Sequence, residues 1–136
     1  MKYFTVDEAN NILPQIKLLV EEIIEKRTKL YDEMDKFENM EEDESQDILE
    51  SMYIKSSIKQ LNKEINELIE IIESFGAVVK GLDPFLIDFP SEHLGNPILL
   101  CWKEGEEKIE FWHDLSSGFM GRKPISELKQ EQNKFF

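Results

Sequence analysis

The side chains best suited to chemistry lie in the second half of this 136-residue chain. His113 and Asp114 are adjacent, and a histidine beside carboxylates is typical of a proton-transfer group or a metal ligand. We therefore take Asp88, His113 and Asp114 as candidate catalytic residues, with Arg122 brought beside them at the strand ends. The structural alternative is that His113 closes the edge of an apolar face and hydrogen-bonds to a carboxylate or carbonyl group.

A glycine-containing segment follows, and it ends in the two cations Arg122 and Lys123. Backbone N–H groups in such a loop, together with a guanidinium group, can hold an anion. Gly118, Gly121 and Arg122 are therefore candidate ligand-binding residues. The segment lacks the phosphate-loop pattern, so the alternative is that the glycines form turns and Arg122 pairs with an acidic neighbour.

Cys101 is the single cysteine, so the chain forms no internal disulfide. No CxxC pair or Cys/His cluster predicts a structural metal site, and we predict no cofactor and no metal. A weaker hypothesis makes His113 one ligand of a metal, with His93 too distant along the chain to be a convincing second. Cys101 itself is either a small apolar filler or a reactive thiol whose pKa is lowered by Lys103.

Composition argues against several classes of partner. The formal net charge is −13 and the pI is near 4.6, whereas nucleic acids and anionic membrane surfaces are bound by clustered Lys and Arg. No apolar run reaches the roughly 18 residues of a transmembrane helix, and the start lacks the apolar stretch of a signal peptide. We therefore expect a cytoplasmic protein that binds neither nucleic acid nor membrane.

The first half has helical periodicity. Thr5 and Glu8 form a capping-box pattern that opens a short helix, which we expect to end near Leu13 because Pro14 lacks an N–H group. From Pro14 to about Asn39 the apolar residues repeat every seventh position, as in a coiled coil. The members of this row are Ile16, Ile23, Leu30 and Phe37.

A second apolar stripe predicts a second long helix. It follows a polar loop from Glu38 to Asp47 and continues from Ile48 to Phe75, where Gly76 ends it. Two long helices joined by a short polar loop fold back on each other as an antiparallel hairpin.

After Gly76 the period changes to two, which predicts strands over 77–80, 85–89, 98–103 and 108–113. Pro90 ends the second of these strands. We expect a tight turn to pair the last two as a β-hairpin, with Leu100 opposite Phe111 and Ile98 opposite His113. This register places Cys101 and His113 on opposite faces. It also turns Trp112 outward, where it can bind a partner or cover another part of the chain.

Three segments resemble a small prokaryotic family catalogued as domain of unknown function 2203. They are Leu86 to Pro90, Leu100 to Glu106, and Trp112 to Leu115 followed by Gly118 to Pro124. The similarity covers nearly the whole chain, with Lys103 where the family has Arg and Met120 where it has Ala. The family carries no assigned activity, so the resemblance implies an architecture and directs attention to the segment from Asp88 to Arg122.

The sequence therefore predicts one α+β domain, with a long antiparallel helical hairpin packed on a small antiparallel sheet with a C-terminal loop. The helices occupy 1–75, the sheet and motif loop 76–128, and the tail 129–136. The apolar stripe is longer than the sheet can cover, which favours a non-enzymatic adaptor that self-associates as a homodimer or other homo-oligomer, or binds a protein partner. The alternative is a small enzyme or an anion- or small-ligand-binding protein. It requires the Asp, His and Arg side chains to converge on a pocket.

Overall fold

The protein is described here by a computed structural model that covers residues 2–41 and 48–128. Two long helices precede an antiparallel sheet of five strands in sequential order, which confirms the predicted α+β class. The predicted interhelical loop began at Glu38, but residues 38–41 belong to the first helix, which corrects that prediction. Residues 42–47 of the loop, and the predicted tail, lie outside this description. The elements are α1 (Val6–Glu41), α2 (Ile48–Ser74), β1 (Val78–Leu82), β2 (Phe85–His93), β3 (Asn96–Lys103), β4 (Phe111–His113), a 3₁₀ turn (Phe119–Gly121) and β5 (Lys123–Pro124).

The chain forms two compact units. One contains the residues up to Lys17 together with those from Ile72 onward, and the other is the helical stretch Leu18–Ile71. The division therefore falls inside both helices, whereas the composition changes at Gly76. In the described parts of the chain, neither helix is long and apolar enough to cross a membrane.

The Leu18–Ile71 unit is an antiparallel helical hairpin, as the two apolar stripes predicted. Lys26 on α1 donates to Glu64 on α2 across 2.8 Å, and this hydrogen bond raises the pKa of Lys26 and lowers that of Glu64. Apolar side chains from both helices are buried in this unit because their stripes face each other. They are Val20, Ile23, Leu30, Met40, Ile54, Ile65 and Leu68.

Helix α1 is continuous through Pro14, so the predicted separate short helix was wrong. The capping box forms, since Thr5 and Glu8 exchange backbone-to-side-chain hydrogen bonds of 3.0 and 3.1 Å. Proline inside a helix costs about 3 kcal/mol. Leu13 and Ile16 lie on the same buried stripe on either side of Pro14, and burial worth about 1.5–3 kcal/mol for each offsets that cost.

The sheet unit has its core on one face of the sheet, here called the core face. Its residues are Phe85, Ile87, Phe89, Ile98, Leu100 and Trp102, all buried. The segment before α1 packs here, with the Phe4 ring edge-on to Phe89 at 5.4 Å between centroids. At the start of α1, the Asn10 side chain accepts a hydrogen bond from the Ile109 backbone N–H at 2.8 Å.

Strand β2 continues through Pro90 to His93, which corrects the prediction that Pro90 ends it. Pro90 is paired with Leu99 of β3, and its carbonyl accepts a hydrogen bond from the Phe4 N–H at 2.7 Å. Because N and C=O of one strand residue point to the same side, the nitrogen of Pro90 faces away from β3. The missing N–H therefore removes no bond from the β2–β3 ladder.

The β2–β3 connection is a two-residue turn in which Leu94 and Gly95 both have positive φ, at 54° and 81°. A leucine in this region is strained, by roughly 1–2 kcal/mol for an ordinary L-residue, while asparagine tolerates it. We predict that Leu94→Asn raises the unfolding free energy by up to about 1 kcal/mol. Denaturant unfolding checks this, with Leu115→Asn as a control at another exposed leucine. Equal stability of Leu94→Asn and wild type would contradict it.

Candidate functional site

The pairing of β3 with β4 differs by one residue from the predicted hairpin register. Leu99 is opposite His113, Leu100 opposite Trp112 and Cys101 opposite Phe111. Cys101 and His113 therefore share one face of the sheet, and their predicted separation was wrong. The tight turn forms, since the Glu106 N–H bonds to the Lys103 carbonyl at 3.0 Å, but it does not lead directly into β4. Ile109, which was predicted to lie in the strand, is instead in the connection, fully buried and bonded to Asn10 of α1.

Three strands each bring one polar side chain to this second face, here called the site face. Asp88 on β2 lies directly opposite Cys101 on β3, and His113 on β4 lies diagonal to Cys101. All three residues are buried, with exposures of 4%, 1% and 3%. A carboxylate oxygen, the thiol sulfur and a ring nitrogen lie within 4.8 Å of one another. The sheet register thus converts three separate motifs into one buried cluster.

A cavity of about 210 Å³ opens over this cluster. Asp88, Cys101 and His113 line it together with apolar side chains and one cation, Lys80. A larger cavity, of about 320 Å³, lies at the start of α1, but the charged residues of its lining are two carboxylates, Asp7 and Glu92. The smaller cavity therefore combines the buried polar groups with a space that a ligand can enter.

The hydrogen bonds of His113 leave two acceptors facing each other. Nδ1 lies 2.8 Å from the Asp114 carbonyl oxygen, which only accepts, so Nδ1 carries the proton and donates it. In the neutral ring, Nε2 then directs a lone pair at the Asp88 Oδ1 atom, 3.2 Å away. Two acceptors at this distance need a proton or a cation between them. The Asp88–His113 pair is therefore arranged to hold a positive charge.

Asp114 does not point to the cluster. Its Oδ1 accepts hydrogen bonds from the Ser116 hydroxyl, the Ser116 N–H and the Ser117 N–H, between 2.7 and 3.1 Å. The bonds from Ser117 and Ser116 lower the pKa of Asp114 to about 2. Its side chain shapes the loop after β4, while its backbone carbonyl orients His113.

This pKa sets a window for the acid sensitivity of the loop. The folded pKa of Asp114, about 2, is below the ordinary value of 3.8, so its stabilising effect is complete above pH 4 and is lost as the pH falls towards 2. We predict that the difference in unfolding free energy between wild type and Asp114→Ala shrinks over this range. Denaturant unfolding at several pH values measures it. A difference that stays constant from pH 5 to pH 2 would contradict the prediction.

Arg122 is also outside the cluster, because its guanidinium group has other partners. Nη2 donates to Glu106 Oε1 at 2.6 Å and to the Cys101 carbonyl at 3.1 Å, and the group stacks on Phe111 at 4.1 Å. Arg122 therefore links β3 to the loop that contains Glu106, and its guanidinium group is not directed at a site for an anion.

The predicted glycine cradle is a turn. The Gly121 N–H bonds to the Gly118 carbonyl and the Arg122 N–H to that of Phe119, so these donors are spent within the segment. A Cβ on Gly121 would lie 2.3 Å from that of Ser117, so the loop can close here only with glycine. Gly118 lines the cavity.

The last two predicted side chains also have structural surroundings. Trp112 lies on the side of Leu100 and Trp102, half-buried, with the Lys123 ammonium group 4.9 Å from its ring centroid. The outward orientation predicted for it depended on the wrong register. Burial raises the pKa of the Cys101 thiol to about 11, although Arg122 acts in the opposite direction, so Lys103 does not make this thiol reactive.

Of the four residues predicted to converge, the structure brings together Asp88 and His113. Sequence reasoning missed that Cys101 joins them and that Lys80 lines the same cavity. One sequence feature could have indicated Cys101. It lies two residues after Leu99, so the two side chains share one face of β3, and His113 lies on that face when it is paired with Leu99. The three segments that resemble the family meet at this cavity.

Comparison with known proteins agrees with the resemblance. The sequence model of the family described as Uncharacterized conserved protein (DUF2203) matches residues 2–125. No curated protein and no solved structure matches the chain.

Proposed function

We propose that this chain, which belongs to the DUF2203 family, binds a divalent transition metal of the zinc class through Asp88, Cys101 and His113. The observation that carries the proposal is the buried cluster in which a carboxylate oxygen of Asp88, the Cys101 sulfur and a ring nitrogen of His113 lie within 4.8 Å of one another. Carboxylate, thiolate and imidazole are the three side-chain ligand types that zinc takes in proteins.

The distances support a tetrahedral site. Two bonds of about 2.0–2.1 Å that meet at the tetrahedral angle separate a nitrogen from an oxygen by about 3.3 Å. The His113–Asp88 separation is 3.2 Å. A zinc–sulfur bond of about 2.3 Å places sulfur about 3.6 Å from nitrogen. The three donor atoms lie within 4.8 Å of one another, so the Cys101 sulfur needs to move inward by at most about 1.2 Å.

The groups behind the ligands also fit. His113 donates its Nδ1 proton to a backbone carbonyl, which is the usual way in which a protein fixes the tautomer of a metal-binding histidine. Arg122 holds the Cys101 carbonyl and so fixes the backbone that carries the thiol. The proposed compartment is the cytoplasm, whose reducing environment keeps a single thiol available for a metal.

Cobalt(II) titration of untagged protein tests the proposal. Cys101 is the only cysteine, so a thiolate-to-cobalt charge-transfer band can arise from this site alone. We expect the band, and tetrahedral d–d absorption, to saturate at one equivalent and to disappear on zinc addition. Cys101→Ser removes the charge-transfer band, whereas His93→Gln, a change of the other histidine, leaves it. Absence of the band in wild type at saturating cobalt would overturn the proposal.

A second proposal, self-association, is supported by the hairpin unit. Ile48 and Tyr53, in the first turns of α2, are 76% and 77% exposed, and Met52 is exposed beside them. Large apolar side chains in such a group are typical of an interaction surface, and we propose a second copy of the chain as its partner. The adaptor role and the coiled-coil packing between copies stay predictions.

Sedimentation velocity tests the self-association. We expect a dimer or higher oligomer that Met52→Glu converts to monomer, with Met120→Glu, a change of an exposed methionine in the other unit, as the control. A monomeric wild type at high concentration would contradict this second proposal and would leave the metal site unaffected.

A further inference from the structure

We infer that this metal site is open to the cavity, and that its fourth position takes the carboxylate group of a small organic acid with a short apolar chain. The inference rests on the proposed metal function. It goes beyond that function because it assigns a class of ligand to the cavity next to the metal ion. Three features carry it: the number of protein donors, the walls of the cavity and the position of its cation.

The described residues supply three donors and leave one position for an outside ligand. Within residues 2–41 and 48–128, the cluster contains Asp88, Cys101 and His113. A tetrahedral ion held by three protein ligands keeps its fourth position for water or another small ligand, as catalytic and exchangeable zinc sites do, whereas closed structural sites use four. Because all three donors project from one face of the sheet, the fourth position faces away from it, into the cavity.

The walls of the cavity are apolar. Leu86 and Leu99 lie beside the donors on the site face, and Leu115 and Phe119, from the segment after β4, also line the cavity. Leu115 and Phe119 are exposed, so the cavity opens to solvent on their side. A volume of about 210 Å³ holds several water molecules or one compound of a few carbon atoms. These walls favour a ligand with a short hydrocarbon chain behind its metal-binding group.

The charges favour an anionic ligand. A divalent ion bound by one carboxylate, one thiolate and one neutral imidazole has no net charge, so an anion in the fourth position makes the centre negative. Among the described residues that line the cavity, Lys80 is the one cation, so a positive side chain at the cavity wall can compensate this charge.

Lys80 reaches the cavity because of its place in β1. Val78 is opposite Asp88, so its side chain lies on the site face, and Lys80 follows two residues later on the same face. The register shifts only after Lys80, since Val79 is opposite Ile87 and Gly81 is opposite Leu86. Strand alternation therefore decides which charge lines the cavity.

Titration of the cobalt-loaded protein with butyrate tests the inference. We expect a saturable shift of the d–d bands with butyrate and a much weaker shift with butyramide, which has the same size and no charge. Lys80→Met should weaken butyrate binding by fivefold or more, whereas Lys108→Met, a change of an exposed lysine outside the cavity, should leave it unchanged. Leu99→Trp should fill the cavity and abolish the shift while the charge-transfer band persists.

The outcomes separate this inference from the function on which it rests. Loss of the charge-transfer band in wild type would remove the metal site itself. A band that forms but whose d–d absorption does not respond to butyrate would show a closed site, and the inference would fall while the metal site stands. Equal responses to butyrate and butyramide would overturn the assignment of a carboxylate.

Discussion

Asp88→Asn is expected to lower metal affinity by more than the roughly 10- to 100-fold that loss of an outer hydrogen-bond partner costs. It is also expected to leave the metal-free protein within about 1 kcal/mol of wild-type stability, the size of one hydrogen bond. The two effects diverge because asparagine replaces an acceptor with a donor. Its amide N–H can donate to the Nε2 lone pair of His113, 3.2 Å away in wild type, while its oxygen still faces the Cys101 thiol.

An ion pair predicts the opposite result. If Asp88 and His113 form a buried carboxylate–imidazolium pair, removal of the carboxylate leaves an uncompensated buried charge, which costs about 3–5 kcal/mol. Denaturant unfolding of the metal-free variants, with cobalt titration of the same samples, measures both quantities. Asp32→Asn, at an exposed position of α1, is the matched control. A large loss of stability with unchanged metal affinity would contradict the metal-site hypothesis.

Phe89→Ala is expected to cause the largest loss of stability among single truncations on the core face, about 3–5 kcal/mol. Phe89 is fully buried and its ring meets Phe4 edge-on, so truncation leaves a cavity and removes an aromatic pair. The same change loosens the contact that ties the segment before α1 to β2, where the Phe4 N–H bonds to the Pro90 carbonyl.

Equilibrium unfolding in denaturant measures this loss, with hydrogen exchange of the Phe4 amide as a local readout. We expect that amide to exchange faster in Phe89→Ala than in wild type. Met120→Ala is the control, since Met120 is almost fully exposed and its truncation should change the unfolding free energy by less than about 0.5 kcal/mol. A loss below about 1 kcal/mol for Phe89→Ala would contradict the prediction, because it would mean that the surrounding core side chains fill the space left by the ring.

The helices were the most predictable part of the fold. Residues such as Ile23, Leu30 and Ile65 repeat with helical spacing and are buried in the hairpin unit. The capping box at Thr5 also forms as predicted, since it depends on residues three apart in the chain. These features are local, and a pattern repeated over many turns leaves little ambiguity.

The prolines were less predictable because their effect depends on their surroundings. Pro14 was predicted to break the helix and Pro90 to end the strand, and both predictions failed. Burial of Leu13 and Ile16 compensates the cost of Pro14 in the helix. The nitrogen of Pro90 points away from β3, so its missing N–H removes no bond between the strands. Neither burial nor strand orientation can be read from the neighbours of a proline in the sequence.

The candidate site was only partly predictable. The prediction found Asp88 and His113 but grouped them with Asp114 and Arg122, whose side chains bond to Ser117 and Glu106. Hydrophobic patterning selects one register for β3 and β4 only if each strand has one polar and one apolar face. Strand β3 carries apolar side chains on both of its faces. Periodicity alone therefore could not place Cys101 on the same face as His113.

The sequence by itself determined the α+β class and the two helices, and it named Asp88 and His113 as candidate site residues. It did so because helical spacing, capping and residue chemistry are properties of nearby residues. The tertiary structure decided which of those groups meet, because a single-residue shift between β3 and β4 moves His113 from one face of the sheet to the other. The connection between these strands is held at Ile109 by Asn10, a residue far away in the chain, so the register is not set by neighbouring residues alone.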